Sequence, residues 1–213
     1  MANVSGAGRS MGVGNLINFG RFQQGDRNRA RDIKALVWRV LDVRDGQALI
    51  ITEQGIDVRW FHKSSRNVTW ETCTLRTRFL NGFFLETAFS TAERKRINMT
   101  TVRAEPNPEY ETDQGKDTQD KVFLLSVREA EQYFRSNIKR QCYPTAYAWL
   151  RGANSWGPYN EHFQDTCWWW LRTSGCSNKY ATGVDLGGNI RYGGSNVRNN
   201  GYCVRPALWL RLE

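Results

Sequence analysis

The chain has 213 residues, 40% hydrophobic and 13% aromatic, which is long enough and apolar enough for a sizeable core and excludes a disordered chain. Lys and Arg outnumber Asp and Glu 30 to 21, for a formal charge of +9, yet the cations are spread along the chain. With only short groupings such as Arg27-Asn28-Arg29-Ala30-Arg31 and Arg94-Lys95-Arg96, solvated surface charge is the expectation and a dedicated nucleic-acid interface is not.

Residues 1–18 are small and polar, with Gly6, Gly8, Gly12 and Gly14, and read as a flexible N-terminal arm. No run in this arm is apolar enough for a signal peptide or a membrane span, so membrane insertion is not expected and a cytoplasmic or virion-associated setting is. Phe19-Gly20-Arg21-Phe22 looks like a first short strand. The firmest element follows. Leu36 to Val43 is β-branched and aromatic, Asp45-Gly46 is a turn pair, and Ala48 to Thr52 returns, which predicts a hairpin.

Thr69 to Leu80 reads as a helix, with Thr72, Leu75 and Phe79 on one face. Ser90 and Glu93 form a capping box that opens a second helix, and Ser126 and Glu129 one that opens a third, carrying Val127, Ala130 and Phe134 toward the core. Between these two helices, residues 103–120 are polar with Pro106, Pro108 and Gly115 and read as a loop; Lys121 to Leu125 reads as a buried strand. Asp113, Asp117 and Asp120 lie at the end of that loop, but their spacing does not match a calcium site. From Cys142 onward no helical period is visible, and recurrent turn signals predict short strands joined by surface loops. The elements together predict an α+β fold, with residues 19–213 as a single domain.

Cys73, Cys142, Cys167, Cys176 and Cys203 include no Cys-x-x-Cys pair, and His62 and His162 are the only histidines, so the paired ligand spacing of a zinc site is missing. Free buried thiols in a reducing setting are expected, with a Cys167–Cys176 disulfide left open. Neither a Ser/His/Asp constellation nor a phosphate-binding glycine loop is present. The expectations are no catalytic residue, no metal and no cofactor.

The C-terminal stretch has a distinctive organisation. Trp168-Trp169-Trp170-Leu171-Arg172 and Tyr202 to Leu210 are apolar ends around a Gly- and Asn-rich run from Gly175 to Gly201. Ala181, Val184, Ile190 and Val197 are spaced through that run like pegs holding loops onto a core. In an extended strand Trp168 and Trp170 share one face, and Trp169 and Leu171 the other.

Phe19-Gly20-Arg21, Trp38-Arg39-Val40-Leu41, Thr69-Trp70-Glu71, Asp120 to Ser126, Pro144-Thr145-Ala146-Tyr147-Ala148, Trp169-Trp170-Leu171-Arg172 and Val204-Arg205-Pro206-Ala207-Leu208 occur in this order. The set resembles bacterial and phage-associated proteins of the C-type lectin fold, distantly similar to formylglycine-generating enzymes. It looks most like the variable proteins of diversity-generating retroelements. The resemblance implies a C-type-lectin-like fold of short antiparallel strands, two or three helices and long C-terminal loops. It also implies that a reverse transcriptase rewrites adenines in the 3′ part of the gene, here about residues 149–203, so that exposed loop residues bind varied ligands, protein above all. Leftover Asn among unrelated residues is the expected trace, and Asn154, Asn160, Asn178, Asn189, Asn196, Asn199 and Asn200 fit it; Asn and Gly are also common in ordinary loops.

The ligand-binding candidates are Tyr159, His162 and Phe163 in a first loop and Trp168 at a strand edge. Tyr180, Thr182, Asp185 and Leu186 belong to a second group, and Arg191, Tyr192, Ser195, Arg198 and Tyr202 complete the set. Tyr and Arg offer wide contact with a polar tip, while Ser and Asn adapt, the mixture used by antibody loops. Leu186 and Tyr202 equally suit a role covering the core. Trp169, Trp170, Trp209 and Leu210 read as scaffold, and Arg205 as a structural contact.

Two alternatives stand beside this reading: a fixed ligand-binding member of the same family, and a formylglycine-generating-type oxidase. The oxidase would need closely placed cysteines, whereas Cys203 stands apart in sequence from Cys167 and Cys176. A calcium-dependent lectin would need a Glu-Pro-Asn type triplet beside the Trp strand; Glu105-Pro106-Asn107 is expected in a loop far from that strand and is discounted. The implied partner is a protein or cell-surface ligand, of a phage or virus host where the gene is viral, and the N-terminal arm allows a homo-oligomer with added avidity.

Overall fold

The computed structural model describes residues 11–25, 32–153 and 165–212. Eleven strands are formed among the described residues: β1 (Leu16–Gln23), β2 (Ile33–Arg44), β3 (Gln47–Thr52), β4 (Asp57–Val58), β5 (Thr100–Val102), β6 (Thr118–Asp120), β7 (Trp169–Ser174), β8 (Tyr180–Val184), β9 (Ile190–Asn196), β10 (Cys203–Val204) and β11 (Ala207–Arg211). The α-helices are short: α1 (Leu85–Ala88), α2 (Thr91–Arg96), α3 (Val127–Tyr133), α4 (Asn137–Arg140) and α5 (Ala146–Leu150). The architecture is α+β, dominated by strands.

The expected hairpin is β2–β3. Asp45 and Gly46 both have positive φ, 50° and 69°, the geometry of a two-residue type I′ turn whose twist matches that of the strands. β1 pairs with β2, and the C-terminal β11 closes the sheet against β3, so the order is β1-β2-β3-β11, antiparallel throughout. A second sheet has the order β4-β10-β7-β8-β9, antiparallel except for β10 beside β7. β5 and β6 form a small ribbon.

One continuous core joins the two larger sheets. Trp38, Trp169 and Trp170 are wholly buried, and each indole N–H finds a carbonyl: Phe19 at 2.7 Å, Arg140 at 3.0 Å and Arg59 at 2.9 Å. Burying such large rings contributes about 2–3 kcal/mol each, because the one polar atom of each is satisfied. Arg205 is the structural contact expected of it. Its Nε donates to the Thr52 carbonyl at 2.9 Å, and its guanidinium lies 5.1 Å from the centres of both the Phe134 and Trp169 rings. Arg172 is also buried, donating to the Leu124 carbonyl at 2.9 Å and pairing with Glu129, so that β7 is tied to α3.

Both capping boxes form. Glu93 N donates to Ser90 Oγ and Ser90 N to Glu93 Oε2; Ser126 and Glu129 repeat the exchange at the start of α3. Other expectations need correction. The helix over 69–80 is instead a 3₁₀ turn at Trp70–Thr72 followed by a wide π-helix over Leu75–Phe84. Leu75 and Phe79 face the core as expected, but Thr72 is exposed. Asn81 gives a physical reason for the changed course: its amide donates to Asp120 and the Val122 carbonyl and accepts from the Lys121 and Val122 amides, so tertiary bonds hold this segment.

Lys121 to Leu125 is buried from Val122 on, but it makes one bridge, Phe123 to Ala207, rather than a strand; the strand is β6, inside the expected loop. α5 also breaks the expectation of no helix after Cys142. Its Thr145 cap accepts from the Ala148 amide at 3.1 Å, a local signal hidden by the shortness of the helix. None of the described helices is long and apolar enough to cross a membrane.

Candidate functional site

The peg pattern places the site. Ala181, Val184 and Val197 are buried, while Ile190 is half-buried at the start of β9. β9 is the edge strand of the second sheet, and alternate side chains stand away from the core. Gly194 has a φ of +73°, and a Cβ there would lie 2.3 Å from the Ala181 carbonyl oxygen, so only glycine lets β9 irregularly pair with β8 at this point.

The result is an open hollow of about 360 Å³. Trp168, Ile190, Arg191, Tyr192, Ser195 and Tyr202 line it, with the Gly193-Gly194 backbone and Glu109. Its size is that of a small-ligand cleft or a socket for a few protein side chains. Tyr202 is the base. Its ring stacks on Trp170 with centroids 4.0 Å apart and lies 5.3 Å from Trp168. Its hydroxyl is 2.7 Å from Ser195 Oγ, and burial pushes its pKa up to about 12. The Arg191 guanidinium lies over the half-buried Trp168 ring at 5.7 Å, with Nε 3.4 Å from Asp185 Oδ2. Tyr192 donates to Glu131 at 2.6 Å; that hydrogen bond, more than burial, raises its pKa to about 12. Both phenols are therefore neutral donors at physiological pH. The wall offers an aromatic shelf, a cation and hydroxyls, which suit contact with polar and aromatic groups of a partner.

Trp168, Arg191, Tyr192, Ser195 and Tyr202 are thus brought together as candidates for one surface. Asp185 is almost buried behind Arg191 and accepts from Asn189 at 2.8 Å, so it positions that arginine. Tyr180 is exposed at the other end of β8, and Arg198 is exposed with its guanidinium 5.8 Å from the Trp60 ring; neither lines the hollow. Thr182 and Leu186 are corrected as surface candidates. Thr182 is fully buried and donates to the Thr173 carbonyl at 2.9 Å; Leu186 is 4% exposed, because the β8–β9 turn folds it inward. Tyr159, His162 and Phe163 lie outside the described residues.

Glu109 was not among the candidates, and the reason is the loop that carries it. Asn107 is buried, and its amide donates to the Ser174 carbonyl of β7 at 2.8 Å and the Tyr192 carbonyl of β9 at 2.9 Å. Glu105-Pro106-Asn107 therefore lies beside the Trp strand, not far from it. Its polar groups are engaged by protein: Asn107 by β7 and β9, and Glu105 by the Ser126 hydroxyl. The Pro-Asn-Pro sequence is the one local sign of a rigid loop here.

Cysteine placement also differs from the expectation. Cys203 does not stand apart: Cys142, Cys167 and Cys203 converge, buried, with Cys167 sharing sulfur contacts with both others. All five cysteines are free, and Cys176 is exposed. Burial raises the pKa of each of the three converging thiols, so little nucleophilic thiolate is present at neutral pH. Asp113, Asp117 and Asp120 are held separately, Asp120 by Trp70, Arg76, Asn81 and Thr118. Among the described residues, no three His, Cys, Asp or Glu side chains are grouped to hold a metal ion.

Residues 45–212 match a family described as a domain of unknown function, DUF6273. The chain belongs to the DUF6273 family. No curated protein and no solved structure matches it. The DUF6273 match begins at the β2–β3 turn and takes in every lining residue of the hollow, the docked Asn107 loop and β11. β1 and all of β2 precede it, although β2 supplies the inner neighbour of β3.

Proposed function

We propose that this DUF6273 protein has a C-type-lectin-like fold and serves as a ligand-binding display scaffold. Its C-terminal loops, diversified by a retroelement, would bind varied targets, proteins first among them, with no catalysis and no cofactor. The observation that carries the reading is the division of labour across β9: Arg191, Tyr192 and Ser195 face an open hollow while β7 and β8 beneath are buried. Exchange of exposed side chains on such a base leaves core burial intact, so stability is largely uncoupled from sequence change. A setting in the cytoplasm or on a virion belongs to the same proposal, as does a homo-oligomer that multiplies a weak single site.

The test is deep sequencing of codons 149 to 203 in the source population. Substitutions are expected at Tyr180, Arg191, Tyr192, Ser195 and Arg198, whereas Trp169, Trp170, Thr182, Gly194 and Val204 to Leu208 stay constant. A uniform sequence sinks the retroelement reading.

The second reading, a fixed ligand-binding member of the same fold, is favoured by the asparagines. Asn178 donates to the Asp113 carbonyl at 2.6 Å, and Asn189 is bonded to Asp185. Asn196 and Asn199 accept from the amides two residues on, at 3.0 and 2.8 Å. Asn189, Asn196 and Asn199, with bonds made two to four residues away, are accounted for by turn chemistry, and Asn178 by a tertiary tie to the loop at Asp113.

A further inference from the structure

A second concave surface lies between the chain leaving β4 and the π-helix Leu75–Phe84, with a cavity of about 390 Å³. Its floor is Leu75 and Phe79, both buried, and its rim carries Trp60 and Phe83, 45% and 51% exposed. Exposed aromatic rings at the edge of an apolar hollow mark a contact surface more often than they mark solvent-facing decoration. The remaining wall is basic: Arg59, Lys63 and Arg78.

The charge around this groove has one sign. Among the described residues, no carboxylate lines it. Arg59 sits 4.5 Å from the Phe79 ring centre and bonds to Asp57 Oδ2 at 2.8 Å, but Asp57 is shared with Arg151 at 3.0 Å, so the three groups still carry one net positive charge. Asp57 is itself wholly buried, bonded to these two arginines and set back from the rim. Lys63 and Arg78 are exposed and make no ion pair among the described residues. Arg198 adds a fourth cation, over Trp60.

We propose that this groove docks an acidic peptide segment of a partner protein, with a bulky apolar side chain seated on Leu75 and Phe79 and flanking carboxylates on Lys63, Arg78 and Arg59. The apolar floor is what selects a peptide. A single nucleic-acid strand needs flat stacking platforms along a continuous track of phosphate contacts, whereas here a recessed aliphatic and aromatic floor is ringed by a few cations. The groove is separate from the hollow at β9, with no lining residue in common.

The experiment is panning of a random-peptide phage library on the immobilised full chain, followed by fluorescence anisotropy with the most enriched peptide, labelled with fluorescein. Enriched peptides are expected to combine net negative charge with a Trp, Phe or Leu. Their affinity should fall about tenfold in Phe83→Ser and in Arg78→Glu, the scale of losing a contact anchor, and should weaken as salt rises. Arg78 is exposed, so Arg78→Glu should keep the wild-type melting temperature, whereas Phe83→Ser also gives up ring contacts with Phe79 and Phe22 and should melt somewhat lower but still cooperatively. Lys95→Glu makes the same charge change on α2, away from the groove, and should leave affinity unaltered. The proposal is overturned if enriched peptides show no acidic excess, or if both groove variants bind as wild type. Equal loss in Lys95→Glu, or displacement of the peptide by oligothymidylate with the same sensitivity to the two variants, overturns it as well.

Discussion

Tyr202 and Arg191 border one hollow but belong to different parts of the protein. Tyr202 is 2% exposed, stacked on Trp170 and bonded to Ser195, whereas the Arg191 side chain is about half in solvent. Removing a buried ring leaves a cavity as well as forfeiting its transfer free energy. Tyr202→Ala should therefore destabilise the protein by about 3 kcal/mol, and Arg191→Ala by no more than about 0.5 kcal/mol, read as urea midpoints. Similar losses in the two variants would mean that the hollow has no rigid base. The Tyr and Arg chemistry of this surface is readable from sequence; which of its members are sealed inside is not. Thr182, Asp185 and Leu186 sit in a Gly- and Asn-rich run and Tyr202 directly follows it, and only the packing of the second sheet around them decides their burial.

The local elements followed their codes where the code was short-range. Asp45-Gly46 sets a hairpin because both residues adopt positive φ without help from elsewhere, and Ser90 and Ser126 start helices through bonds made within three residues. The π-helix and the Asn107 loop did not, since their defining bonds reach about 40 and 67 to 85 residues along the chain. β2 shows the same dependence at the level of a strand. It lies between β1 and β3 and carries the wholly buried Trp38, so β3 cannot bury its apolar face alone. A fragment starting at Asp45, where the family match begins, should lack cooperative melting by circular dichroism, while one starting at Met11 should melt as the full chain does. A sharp transition in the shorter fragment would show that β3 and β11 suffice.

The whole molecule carries a stability signature set by its buried acids. Cys73 is fully buried, and desolvation pushes its pKa from 9.0 to about 12; Cys142, Cys167 and Cys203 are shifted the same way, and Tyr202 rises from 10.0 to about 12. In the unfolded chain these groups lose their protons at the ordinary values, so above pH 9 the unfolded state binds fewer protons than the folded one. Stability is then fully present below about pH 9 and falls as pH rises toward 12, by up to about 1.4 kcal/mol per pH unit for each thiol. Urea midpoints between pH 7 and 11 should decline in this way, and Cys73→Ala should decline less steeply than wild type. A flat profile would mean that the thiols reach water.

By itself the sequence determined the α+β class, the hairpin and two capped helices. These depend on residue period and on contacts a few residues apart. Tertiary structure alone brought Cys142, Cys167 and Cys203 together, set Asn107 and Glu109 beside β9, and turned Arg59, Arg78 and Phe83 toward one groove. Such meetings join segments tens of residues apart, and nothing in a one-dimensional pattern encodes which loops will share a surface once the core has closed.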